Sequence, residues 1–178
     1  MTPYEAEAKF YIRGAKIDLV RIIENKIREV IIYVSKLTKI QYSLALYEPE
    51  NEELITNRTL NRLFSHNLKE SGIISISDPR DTNSGLSLGL VSKKIPCIHP
   101  YFKVTNDENI KYGTKAFSEE TISDHAMEEA FKCALALAKT GCDIIQKESL
   151  LVGVKNEFYV FIICYFDVRV NTRYFFTN

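Results

Sequence analysis

Between residues 15 and 37, apolar side chains recur at spacings of three and four: Val20, Ile23, Ile27, Val30, Val34 and Leu37. That spacing predicts an amphipathic helix with a single apolar stripe. Several of these residues are β-branched and poor helix formers, so the helix needs a neighbour to pack against. The flanking stretches AKFYIR (8–13) and IQYSLALYE (40–48) are aromatic and β-rich and read as strands. The local reading is therefore β-α-β, and the fold class that follows is α/β.

The polar run EPENEE (48–53) marks a boundary or hinge. A second helix follows, with Asn57 as its cap, Leu60, Leu63, Phe64 and Leu68 on one face, and Ser71-Gly72 as its stop. GIISIS (72–77) reads as a short strand, and the turn formers of 77–85 as an exposed loop. Residues 93–104 read as an edge strand interrupted by Pro96 and Pro100. The strongest helical pattern covers 122–147, with Met127, Ala130, Phe131, Ala134, Leu137, Ala138, Gly141 and Ile144 at helical spacing. Many of these are small, which suits close approach to a sheet. In the tail, Asp167, Val168, Arg169 and Val170 alternate as in a strand.

Composition narrows the function classes. Hydrophobic residues make up 46% of the 178, enough for a real core. Lys plus Arg and Asp plus Glu both number 23, and the basic residues are scattered, so neither nucleic acid nor an anionic membrane is an expected partner. The longest apolar run, 158–166, is about half the ~20 residues that a bilayer span requires. Cys97, Cys133, Cys142 and Cys164 form no CxxC pair; Cys133 and Cys142 would face opposite sides of one helix, and reduced thiols suggest a cytoplasmic protein.

Candidate chemistry is sparse. The sequence contains no HExxH, phosphate-binding loop or GxSxG elbow. His66 reads as solvated, and His125 beside Asp124 as a weakly specified metal pair. His99, between two prolines, reads first as a structural histidine near a cleft. An active site built from His99, His125 and carboxylates such as Asp124 is the weakest reading.

A resemblance extends this. The run SLGLVSKKIPCIHPYFKV, with Gly89, Val91, Ser92, Pro96, Ile98, His99, Pro100 and Tyr101, resembles zinc-dependent aminoacylase/carboxypeptidase amidohydrolases, in particular their aminobenzoyl-glutamate-hydrolase-like branch. AKFYIRGAKIDLVRIIENKI resembles that family's lid segment, NRTLNRLFSHNLKESG the helix re-entering its catalytic domain, and ALALAKTGCDII its closing helix. The resemblance implies a catalytic α/β domain interrupted by a lid or dimerisation domain, an antiparallel sheet with two helices. By it the chain begins inside the lid, and most of the family's metal ligands lie upstream. The pattern also departs at three polar positions: Ser87 stands for an aspartate, Leu90 for an asparagine, and Gly113, in YGTKAF, for the histidine that is the last metal ligand.

The expectations are these. Residues 1–50 form a partial lid, a β-α-β half of an antiparallel sheet; 51–157 form the C-terminal part of a catalytic-type α/β domain; 158–178 form an aromatic tail of unknown role. The chain is a truncated amidohydrolase- or metallocarboxypeptidase-like protein, inactive on its own. The alternative is an assembly module that pairs with a full-length relative or an N-terminal half. No catalytic or metal-ligating residue is assigned; His99 is the one candidate substrate-binding residue. No cofactor is expected in this chain, although the resemblance implies zinc in the family. A homo-oligomer or a partner chain is expected to cover unpaired edges.

Overall fold

The computed structural model describes residues 4–77 and 86–173, with side chains to residue 164. Six helices follow in order: α1 (Ile17–Thr38), α2 (Arg58–Glu70), α3 (Leu88–Ser92), α4 (Lys115–Glu120), α5 (Asp124–Gln146) and α6 (Glu148–Arg173). The expected α/β architecture is corrected: among the described residues the only β feature is one isolated parallel bridge, Thr56 to Cys97. Residues 8–13, 40–48 and 72–77 are irregular, 93–104 contributes only that bridge, and 167–170 lies within α6. No half-lid sheet exists there, and with it goes the expected open strand edge.

The reason is that β-rich composition specifies a strand only where a second backbone offers a ladder. Segments 8–13 and 40–48 meet through side chains instead. Tyr11 Oη donates to Glu48 Oε1 at 2.9 Å, and the Tyr11 and Tyr47 rings meet edge to face at 5.7 Å. The expected exposed loop at 77–85 falls, apart from Ser77, outside the described residues.

The chain divides into two compact units. One comprises Met1–Leu54 with Arg80–Leu90, the other Ile55–Pro79 with Val91–Asn178. In the first, α1 begins where the Ile17 amide donates to Glu53 Oε2 at 3.1 Å, and it ends at Lys39 in the left-handed region (φ 57°). Its expected stripe is half used: Val20, Ile23 and Ile27 are half-buried, while Val30, Val34 and Leu37 are exposed.

In the second unit α2, α5 and α6 pack together. Asn57 caps α2 by accepting from the Leu60 amide at 2.8 Å, and Gly72 follows the helix at φ 99°, as its sequence signals require. Phe64 and Leu68 of α2 meet Cys133 and Ala136 of α5, with Ile73 and Ile98 packed alongside. A buried polar link joins the same helices: Asn67 Nδ2 donates to Thr140 Oγ1 at 3.1 Å and to Asp143 Oδ2 at 3.0 Å. Lys147, at 2.7 Å, and then Asn67 hold the Asp143 carboxyl below its usual range.

Helix α6 is fastened to the start of α2 from outside. Glu157 accepts from the Arg58 and Thr59 amides, each at 2.7 Å, and Asn57 Nδ2 donates to the Val154 carbonyl at 3.0 Å. Burial pushes the Glu157 pKa up, but the Thr59 and Arg58 hydrogen bonds and the Arg58 charge outweigh it and leave it lowered. A carboxylate at a helix N-terminus satisfies amides that have no partner within the helix.

Candidate functional site

Three positions of the run that carries the sequence resemblance, 87–104, do structural work: Gly89, Ser92 and Cys97. At Gly89 a Cβ would fall 1.8 Å from the Glu52 carbonyl oxygen, so only glycine lets the two backbones approach this closely. Ser92 is fully buried, and its Oγ accepts from the Ile55 amide at 3.0 Å. The Asn57 amide donates to the Cys97 carbonyl at 2.9 Å, which places the α2 cap. Within the first unit the glycine thus admits the Glu52 backbone, and within the second the serine and the strand-like segment hold residues 55–57, which lead into α2.

His99 lies next in the run. It is half-buried and packs edge to face against Tyr101, with ring centroids 4.8 Å apart. His125 is half-buried in the first turn of α5, and its Nε2 lies 3.4 Å from Asn106 Nδ2. His66 is exposed on α2, 3.3 Å from Glu70. Each histidine therefore has its own neighbour, and the His99 neighbour is an aromatic ring rather than a carboxylate. Asp124, next to His125, is exposed at the start of α5.

Gly113 stands in the turn before α4 with φ +83°, and no heavy atom lies within 4 Å of where a Cβ would be. Thr114 caps α4 by accepting from the Phe117 amide at 3.2 Å, and Tyr112 and Phe117 stack edge to face across the cap at 5.3 Å. The positive φ gives this glycine a conformational purpose. A histidine here would have to adopt left-handed backbone or reshape the turn.

These residues do not fit a zinc ion. Among the described residues no three of His, Cys, Asp or Glu come together in a group that could hold a metal. Gly113 offers no ligating atom. Thiol chemistry is no better served. Cys97 and Cys133 are buried, and burial pushes both thiols up, Cys133 further through Glu129. Cys142 is exposed on the other side of α5 from Cys133, as the spacing of nine requires, and all four cysteines are free. No helix among the described residues is long and apolar enough to cross a membrane.

Sequence reasoning missed Glu157 and the Asn67–Thr140–Asp143 link. Helix spacing gives no signal for the first, since the sequence assigns no helix to 148–157 and leaves 158–178 a tail of unknown role. For the second, polar residues at positions 67 and 140, inside otherwise apolar faces, were the available clue.

No protein-family model matches the chain. The chain is similar to an Xaa-Arg dipeptidase of Mus musculus, 28% identical over 159 residues that make up 88% of this chain and 36% of that protein. It is also similar to an Xaa-Arg dipeptidase of Homo sapiens, 32% identical over 108 residues, 59% of this chain and 24% of that protein. The chain thus spans about a third or less of the length of the curated relatives it matches.

Proposed function

We propose that this chain is a dipeptidase-like framework module with no hydrolytic centre of its own. One observation carries the reading: Gly113 occupies, by the sequence resemblance, the place of a metal-ligating histidine, and its backbone at φ +83° suits glycine rather than a ligand-bearing residue. The similarity to two Xaa-Arg dipeptidases supports the wider placement. The close approach of Gly89 to Glu52, and the support that Ser92 and Cys97 give to residues 55–57, agree with a motif retained for architecture.

In this reading residues 1–50 correspond to the family's dimerisation region, 51–157 to the later part of its catalytic domain, and 158–178 to an extension. His99, half-buried in the matching run, is the residue to test for substrate contact. The relatives make Xaa-Arg dipeptides the first substrates to try, with aminobenzoyl-glutamate, suggested by the sequence run, second. The expected result is no hydrolysis of either by the purified chain with zinc supplied; metal-dependent turnover that His99→Ala abolishes would contradict the proposal.

A second reading has its own observation. Among the described residues α1 leaves Val30, Val34 and Leu37 exposed along one stripe. Unpaired apolar surface of this kind supports an assembly module, completed by a second copy or by a partner chain that supplies what the longer relatives contain.

A further inference from the structure

Within the second unit, α6 is held by a narrow and mostly polar contact. Among residues 148–164, whose side chains are described, Val154 is the one fully buried side chain of α6, while Val152, Tyr159, Val160, Phe161 and Ile163 are exposed. The fastening lies in the stretch from Gly153 to Glu157. Glu157 accepts from the Arg58 and Thr59 amides at 2.7 Å each, and the Val154 carbonyl accepts from Asn57 Nδ2 at 3.0 Å. Gly153 lets α2 come close, since a Cβ there would stand 3.8 Å from Thr59 Cγ2.

The α2–α5 contact is of another kind. Phe64, Leu68, Cys133 and Ala136 close an apolar cluster, and the buried Asn67 reaches across to Thr140. Water can replace hydrogen bonds at a helix start at little net cost, but it cannot replace apolar burial. The α6 contact is therefore the weaker of the two. Helix α6 also has no single apolar stripe to commit it to one neighbour, because its apolar residues lie on all sides. Between α5 and α6, Lys147 has extended backbone (φ −118°, ψ 94°), which interrupts the helix and separates the two elements mechanically.

We propose that α6 is a strap that opens and closes on the start of α2 while the α2–α5 core stays folded, with Glu157 as its catch. Opening frees the Arg58 and Thr59 amides and the Asn57 carboxamide donor, and it uncovers Ile55 and Thr56, which line a small cavity with Phe158. Asn57 Oδ1 keeps its hold on the Leu60 amide, so α2 loses its outer clasp and retains its own cap. Once released, α6 has no partner surface to hold its helix, and its amides exchange with solvent.

The test is native-state hydrogen exchange of the full chain in low, sub-denaturing urea. In the wild type, residues 151–158 are expected to exchange through an opening with shallow urea dependence, and residues 133–136 through a rarer opening with steep dependence. Glu157→Gln is expected to speed exchange at 151–158 about fivefold. Phe64→Leu is expected to speed exchange at 133–136 about fivefold and to leave 151–158 unchanged, because it weakens the strapped and unstrapped states alike. One rate and one urea slope shared by both regions would overturn the proposal. So would a Phe64→Leu variant that speeds 151–158 as much as 133–136, or a Glu157→Gln variant that leaves 151–158 unchanged.

Discussion

Helices α1 and α2 start from the same sequence logic and end differently. Both carry apolar residues at helical spacing. In α2 the stripe becomes core: Phe64 and Leu68 are buried against Cys133 and Ala136. In α1 only Ile17 is fully buried, and Val30, Val34 and Leu37 stay exposed within their own unit. The difference lies in the neighbour. Periodicity gives a helix a face to bury, but the energy of burial exists only where another element removes that face from water.

Substitutions in the two helices and at their supports test this contrast. The largest effect is expected at Phe64, 3% exposed, where Phe64→Ala should cost about 3–5 kcal/mol in denaturant unfolding. A loss under about 1 kcal/mol would show that the α2–α5 core is not what holds that unit together. Next comes Gly89→Ala. The added Cβ meets the Glu52 carbonyl at 1.8 Å, so the backbone must shift, at about 1–3 kcal/mol. A neutral result would remove the structural reading of the motif glycine.

Glu157→Gln should cost about 1 kcal/mol by weakening the charged cap on α2. Its sign with pH is fixed. The folded pKa lies below the ordinary 4.5, so the stabilisation is present above that value and is lost as pH falls through the folded pKa. Wild type and variant melting temperatures should therefore differ at neutral pH and converge in acid. A gap that persists below pH 3 would mean that the carboxylate charge is not the source. The smallest effect is expected on α1, where Val34→Ala should change stability by no more than about 0.5 kcal/mol. A loss of several times that would reveal a buried α1 stripe.

Helices α1, α2 and α5 are legible in the sequence because their signals are local: Asn57 caps α2 through its own side chain, and Gly72 follows it at positive φ. Helices α3, α4 and α6 are not, since their sequences carry no comparable pattern. The strands were not real because β-rich composition at 8–13 and 40–48 carries no information about a partner backbone. The α5 pattern misled in a more useful way. Met127 and Phe131 looked like core, yet the buried face is the one with Ala126, Cys133, Ala136 and Thr140. A helix with two apolar faces cannot disclose from spacing alone which is already covered.

At the candidate site, His99 is legible as a structural histidine near a cleft; its half-buried place and its edge-to-face contact with Tyr101 come from the structure. Gly113 was legible only by resemblance; its positive φ came from the structure. The Glu157 cap depends on residues 98 and 99 positions apart in the sequence, beyond any local pattern.

The proposed framework role without a metal centre stands or falls on zinc titration of the purified chain by calorimetry, alongside Gly113→His. No stoichiometric high-affinity zinc binding is expected of the wild type. None is expected of Gly113→His either, because a single histidine placed on that turn still lacks companion ligands among the described residues. One zinc bound per wild-type chain, lost in a His99→Ala or His125→Ala variant, would contradict that role.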